Sequence, residues 1–126
     1  MANLANPTVI VDNEVIEIRA NTLRFKTGAG DTTTRTQQAG ENVTTINNVN
    51  AETKMGFVAF EMNTTSANLA RKDRWLSARR TGGVTIEFFD EDNSYSFSGM
   101  FITTEPEASG GAEGVIPFEF SGNPVA

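Results

Sequence analysis

The chain has 126 residues, which is enough for one domain with one hydrophobic core. It contains no cysteine and no histidine, and this excludes disulfides, thiolate metal sites and catalytic triads built on Ser-His or Cys-His. The net charge of −6 makes it a poor candidate for binding nucleic acid, because phosphate contacts supply most of that affinity. We expect neither a membrane segment nor a signal peptide, since no long apolar run is present and the N-terminus lacks a basic start.

The charge is unevenly distributed along the chain. Residues 65–80 carry a net charge of +4, whereas residues 81–126 carry a net charge of −8 and no basic group. This segregation indicates one cationic and one anionic face, although charge also serves simply to keep the surface of an isolated domain hydrated.

The first 26 residues alternate between apolar and polar positions as β-strands do. Residues 8–11 and 15–18 flank a turn at 12–14, which predicts a hairpin, and residues 23–26 continue the sheet.

Residues 27–53 form a segment rich in Thr, Gln and Asn. β-Branched residues at 33–38 and 43–49 surround a turn at 39–42, which predicts a long polar β-hairpin, called the arm below. Such an arm has no core of its own, so it stands off the domain and needs a partner to order it. A flexible surface loop is the alternative interpretation.

The strongest predicted strand, residues 54–62, is apolar on both faces. One face carries Met55, Phe57 and Ala59, and the other carries Val58, Phe60 and Met62. Burial on both faces follows, so the second face must meet a helix, another sheet or another subunit.

A single helix is predicted over residues 65–80. Ser and Thr cap its start, Gly82 stops it, and Leu69, Leu76 and Trp75 form its inner stripe. Its basic residues face outward or lie near the C-terminal end; they are Arg71, Arg74, Arg79 and Arg80.

Three further strands close the chain. Residues 84–89 and 94–102 form a hairpin around the turn 90–93. On the first strand, the inward residues are Val84, Ile86 and Phe88. On the second strand, one face is shared by Tyr95, Phe97 and Phe101. Gly99 predicts a bulge or a close backbone approach. Pro117 predicts that the last strand, residues 115–120, lies at an edge or carries a bulge.

Residues that could carry chemistry are sparse. The glycines at 28 and 30 lack the rest of a phosphate loop, and the acidic turn 90–93 lacks calcium-loop spacing. Glu105, Glu107 and Glu113 lie on a small-residue loop without an aromatic platform for a sugar. We therefore expect no catalytic residue, no metal site and no cofactor.

The chain resembles the tail tube proteins of tailed bacteriophages, particularly those of contractile tails. The likeness begins at residues 51–62, which read Ala-Glu-Thr-Lys-Met-Gly-Phe-Val-Ala-Phe-Glu-Met. Residues 8–26 fit the family in their alternating pattern only. It continues through Asn63-Thr64, Ala67-Asn68-Leu69, Trp75, Glu105-Pro106-Glu107, Gly114, Phe118-Glu119-Phe120 and Gly122-Asn123-Pro124-Val125.

This resemblance implies a mainly β fold: a β-sandwich or partly closed barrel with one flanking α-helix and a long protruding hairpin, all in one domain, 1–126. It implies hexameric rings that stack into a hollow tube in the virion, assembled in the host cytoplasm. DNA passes through the lumen to the host without specific binding. Tail sheath, baseplate and tail terminator proteins are the further partners, and type VI secretion inner tubes share the architecture.

The resemblance assigns three contact surfaces as hypotheses. The arm reaches the next ring through Gly28, Thr33, Arg35, Gln37, Val43, Ile46 and Val49. Neighbouring subunits join their sheets at Met55, Phe57, Phe60 and Met62. The helix faces a sheath through Arg71, Arg74, Arg79 and Arg80, and the acidic segment 81–126 supplies part of the bore.

Two other functions remain open. A ligand-binding β-sandwich module, such as a carbohydrate-binding domain of a virion or cell surface, needs exposed aromatic rings, and only Trp75 and Tyr95 are left over for that purpose. A type VI secretion injection tube shares the architecture and differs in its biology.

Overall fold

The computed structural model describes residues 6–125. These residues form a mainly β structure with one α-helix, α1 (Ser66–Ser77), and two short 3-10 turns, Ala51–Thr53 and Ala78–Arg80. The nine strands are β1 (Thr8–Val11), β2 (Glu14–Ile16), β3 (Arg24–Lys26), β4 (Asp31–Ala39), β5 (Asn42–Asn50), β6 (Gly56–Asn63), β7 (Val84–Phe89), β8 (Ser94–Ile102) and β9 (Val115–Gly122). The predicted mainly β class with a single helix is confirmed.

Seven strands form one antiparallel sheet in the order β2-β1-β7-β8-β9-β6-β3. The sheet folds over itself, because Phe25 on β3 contacts the rings of Phe88 on β7 and Tyr95 on β8, each at a centroid distance of 4.8 Å. The result is a sandwich-like arrangement that does not close into a barrel. The outer edges of β2 and β3 therefore lack a strand partner within the described chain.

The layers of the sandwich enclose one core. Its fully buried side chains come from every strand of the sheet except β3, and α1 contributes Trp75. The largest of them are Trp75, Phe60, Phe88, Phe97, Phe118 and Phe120.

A bulge in β8 carries this strand from one layer to the other. Its first half pairs with β7 and its end pairs with β9, and the register shifts at Gly99, whose φ is +60°. The predicted bulge is confirmed, but the predicted shared face of Tyr95, Phe97 and Phe101 is wrong. The extra residue inverts the alternation, so Met100 is buried with Phe97 whereas Phe101 lies half-exposed on the outer face.

Pro117 lies inside the sheet instead of on an edge strand, since β9 runs between β8 and β6. Its partner on β6 is Glu61. The Glu61 carbonyl accepts from the Arg19 N–H, and the Glu61 N–H donates to the Thr22 hydroxyl, so both backbone groups point toward the segment before β3 and away from β9. The Pro117–Glu61 pair therefore needs no hydrogen bond from proline. On the other side β9 pairs with β8 only at Phe120 and Ser121, so Pro117 has no neighbour there either.

The helix begins and ends where the sequence predicts. The hydroxyl of Thr65 accepts a hydrogen bond from the Asn68 backbone N–H at 3.1 Å, which caps the first turn. The last predicted residues form the 3-10 turn, and Gly83, with a φ of +83°, closes it by donating to the Ala78 carbonyl at 2.9 Å.

Candidate assembly surfaces

The arm is a regular two-stranded hairpin that stands apart from the sandwich. β4 and β5 pair with each other in full register, from Asp31 opposite Asn50 to Ala39 opposite Asn42, and neither pairs with the seven-stranded sheet. Every side chain of both strands is exposed except Ile46, which is half-buried. The predicted long polar hairpin is thus confirmed, and its regular part is 31–50.

The root of the arm is fixed to the body. The Asp31 backbone N–H donates to the Thr53 hydroxyl at 2.6 Å, and the Val125 N–H donates to the Thr27 carbonyl at 2.8 Å. Gly28 lies at this root and not on the paired strands, with a φ of +100°, and a Cβ built on it would lie 2.7 Å from the Pro124 Cβ. A side chain at this position would be strained and would collide with that proline. The body therefore sets the direction of the arm.

The register separates the arm residues that we assigned to the inter-ring contact into two faces. Thr33, Arg35, Gln37 and Ile46 share one face, because Arg35 pairs with Ile46. Val43 and Val49 lie on the opposite face, where they pair with Gln38 and Thr32.

The four residues assigned to the subunit–subunit sheet also divide. Phe60 and Met62 are 1% and 0% exposed, so they belong to the chain's own core and offer no surface to a neighbour. Phe57 is half-buried beneath the Arg24 guanidinium, which lies 5.9 Å from its ring centroid. Met55 precedes β6 at the arm's root and is 51% exposed.

The second face of β6 is covered from within the chain at Ala59. Ala59 pairs with Arg24 on one side and Glu119 on the other, and these two side chains form a 3.5 Å ion pair on the Ala59 side of the sheet. Ala59 is 2% exposed as a result. The sequence predicted cover by a helix, a sheet or another subunit, and a polar pair from neighbouring strands supplies it here.

The basic helix residues are partly engaged inside the molecule. Arg71 and Arg74 both bind one carboxylate oxygen of Glu14 on β2, at 3.1 and 2.8 Å, and Arg71 also donates to the Asn68 amide oxygen at 2.6 Å. Lys72 lies 3.7 Å from Glu105. The two Glu14 contacts tie α1 to the β1–β2 hairpin, and neither Glu14 nor Asn68 was expected to take part.

The cations near the end of the helix are more exposed. Arg79 donates to the carbonyls of Leu76 and Ile102, at 3.3 and 3.4 Å. Arg80 is exposed, like Arg79 and Arg74, whereas Arg71 is half-buried. Of the four residues assigned to a sheath contact, Arg71 is thus the least available.

The hydrogen bond from Arg71, followed by the charges of both arginines, lowers the pKa of Glu14 below its ordinary value of 4.5. A lowered folded-state pKa stabilises the protein above the unfolded pKa, and this stabilisation is lost as the pH falls through the folded pKa. We expect Glu14→Gln to lower the melting temperature at pH 7, and the deficit to shrink as the pH falls below about 4. Thermal unfolding between pH 7 and pH 3 measures this.

Glu17→Gln is the matched control, because Glu17 is exposed and makes no hydrogen bond or ion pair among the described residues. It should follow the parent protein at every pH. A Glu14→Gln deficit that stays constant down to pH 3 would contradict the role of the Glu14 charge.

The two aromatic residues that a carbohydrate-binding site would need lie inside the fold. Trp75 is 2% exposed, and half-buried Tyr95 packs against Phe25 and Phe88. Neither ring offers the flat exposed surface that stacking on a sugar requires. The acidic segment 90–93 is a hairpin turn in which the Asp90 carboxylate accepts from the Asp92 and Asn93 N–H groups, at 2.9 and 2.7 Å.

Comparison with protein-family models, curated proteins and solved structures found no match to this chain. Among residues 6–125, neither α1 nor the 3-10 turns have the length and apolar character that crossing a membrane requires.

Proposed function

We propose that this protein is a structural subunit that assembles with copies of itself into stacked rings, forming the tail tube of a bacteriophage through which DNA passes. The observation that carries the proposal is the arm. It is a hairpin of two nine-residue strands with almost every side chain in solvent, held only at its root. An isolated two-stranded ribbon is at best marginally stable in water, so a partner must order it.

The sandwich supports the same function in a different way. Its core is complete within one chain, so a subunit can fold before it assembles. The outer edges of β2 and β3 nevertheless keep unpaired backbone groups, and such edges are templates for pairing with another chain. A ring removes both edges if the β3 edge of one copy pairs with the β2 edge of the next.

The charge distribution fits a tube that surrounds DNA. The acidic side chains at 91, 92, 105, 107 and 113 are exposed, and a bore lined with such groups repels phosphates and lets DNA slide without adhesion. The exposed Arg79 and Arg80 are the helix cations available to meet an acidic surface of a sheath, whereas the exposed Arg74 already binds Glu14.

The test is the assembly state of the purified protein. A concentration series is followed by sedimentation velocity and negative-stain electron microscopy at low and at high salt. We expect rings or tubes of uniform diameter to appear above a threshold concentration. A monodisperse monomer at every concentration and salt condition contradicts the proposal, and glycan-array binding by that monomer would favour the carbohydrate-binding module instead.

A further inference from the structure

Exposed large hydrophobic side chains are few among residues 6–125, and they lie on the arm, on the sandwich and at the root of the arm. Val43 and Val49 lie on the arm and are 62% and 50% exposed. Val15 and Phe89 lie on the sandwich and are 63% and 42% exposed. The fifth, Met55, lies at the root of the arm. The free energy falls when such groups leave water together, so they favour contact with another apolar surface.

The arm presents its two valines on a face without charge, called the Thr–Val face. The register assigns to it Thr32, Thr34, Thr36, Gln38, Val43, Thr45, Asn47 and Val49. The opposite face contains Asp31 and Arg35. Burying the Thr–Val face costs no desolvation of an ionised group, so it is the face suited to packing against protein.

The sandwich presents its exposed apolar residues on its outer face beside the free edge of β2. Val15 pairs with Ile10, and Phe89 pairs with the Thr8 position two residues before Ile10. Their chain neighbours Ile16, Val9 and Phe88 are buried, so alternation turns Val15, Ile10 and Phe89 outward together. We call these three residues the outer patch.

We propose that the Thr–Val face of one copy packs on the outer patch of a second copy. This inference rests on the proposed self-assembly and specifies its contact. The contact pairs Val43, near the tip of the arm, with the outer patch, because Val49 lies six residues away on β5, about 20 Å nearer the root. Glu87 pairs with Ile10 within the patch and is half-buried, and the Thr hydroxyls and the amides of the arm face can donate to its carboxylate.

The size of the contact suits a polymer better than a dimer. A nine-residue hairpin is about 30 Å long and two strands wide, so it covers roughly 300 Å² of a partner, well below what a stable pair needs. The two surfaces differ, so the contact is heterologous: each copy donates one arm and accepts another. Contacts of this kind link successive copies into rings or filaments. Each contact is weak by itself, so stable association requires many of them to act together in the assembly.

The absence of cysteine allows a direct test by thiol cross-linking. A Val15→Cys protein with one tag is mixed with a Val43→Cys protein with another tag, under assembly conditions, and treated with a short bis-maleimide. The matched control replaces Val43→Cys by Thr44→Cys, because Thr44 is the next residue on β5, lies on the opposite face of the arm and was assigned to no contact. We expect at least about tenfold more cross-linked heterodimer with Val43→Cys than with the control.

A second measurement uses charge. Val43→Glu should raise the threshold concentration for assembly about tenfold or more, since it places a second carboxylate beside Glu87 in the contact, whereas Thr44→Glu on the opposite face should leave it unchanged. Assembled particles in which both faces cross-link equally, or in which Thr44→Glu is the more damaging change, overturn this inference and leave the proposed function standing. A protein that never assembles overturns both.

Discussion

A variant that lacks the arm is expected to fold normally and to remain monomeric at concentrations at which the parent protein assembles. The variant replaces residues 32–49 by Asn-Gly, which joins the paired residues Asp31 and Asn50 through a two-residue hairpin turn. None of the removed side chains belongs to the hydrophobic core, and the root contact between Asp31 and Thr53 is kept. The free energy of unfolding of the sandwich should therefore change little, whereas the contacts between copies should disappear.

Circular dichroism and thermal unfolding test the fold of this variant, and sedimentation velocity with electron microscopy tests its assembly. Glu41→Gln is the control for a change confined to the arm, because this turn residue is exposed and the hairpin is retained. It should assemble like the parent. Tubes formed by the arm-less variant would show that the arm is dispensable, and this would remove the principal support for the proposed function.

Features that depend on local pattern could be predicted from the sequence. The β1–β2 turn, the arm, the helix cap at Thr65 and the hairpin turn at 90–93 all lie where alternation and turn residues indicate. The bulge at Gly99 was also predicted, but not its consequence for Phe101. One extra residue exchanges the inner and outer positions of everything that follows, and a fixed period of two cannot anticipate this.

Features that depend on distant contacts could not be predicted. Arg71 and Glu14 are 57 positions apart, so the helix pattern alone made the basic residues look free for a partner. The cover over Ala59 likewise comes from Arg24 on β3 and Glu119 on β9, which are both far from Ala59 in the sequence. In both cases a polar pair formed by the tertiary fold occupies a surface that local reasoning would leave to another molecule.

The division of the β6 residues between the core and the surface also depends on contacts between residues that are distant in the sequence. Alternation correctly gave two apolar faces, and the face with Val58, Phe60 and Met62 is the core face. The inward face is the one on which the helix packs, since the rings of Trp75 and Phe60 lie 6.4 Å apart. A subunit contact through β6 is thereby limited to its outer face and to the residues beside it.

Trp75 is the side chain whose loss is expected to cost the most stability. It is the largest fully buried side chain, and its ring lies 5.0 Å from that of Phe118 and 5.8 Å from that of Phe120, both in edge-on geometry. It is the main anchor of α1 on β6 and β9. Trp75→Ala removes the ring and leaves a cavity, so we expect the free energy of unfolding to fall by about 3–5 kcal/mol.

Trp75→Phe separates the packing of the ring from its polar group. The indole N–H of Trp75 is buried and has no hydrogen-bond partner among the described residues, so its removal costs no hydrogen bond and relieves an unsatisfied donor. We expect this variant to lose less than about 1.5 kcal/mol, since the smaller ring keeps most of the aromatic contacts. Urea unfolding followed by circular dichroism gives both values, and an unchanged m-value confirms that stability alone has changed. Equal losses in the two variants would mean that aromatic packing against Phe118 and Phe120 does not hold the helix in place.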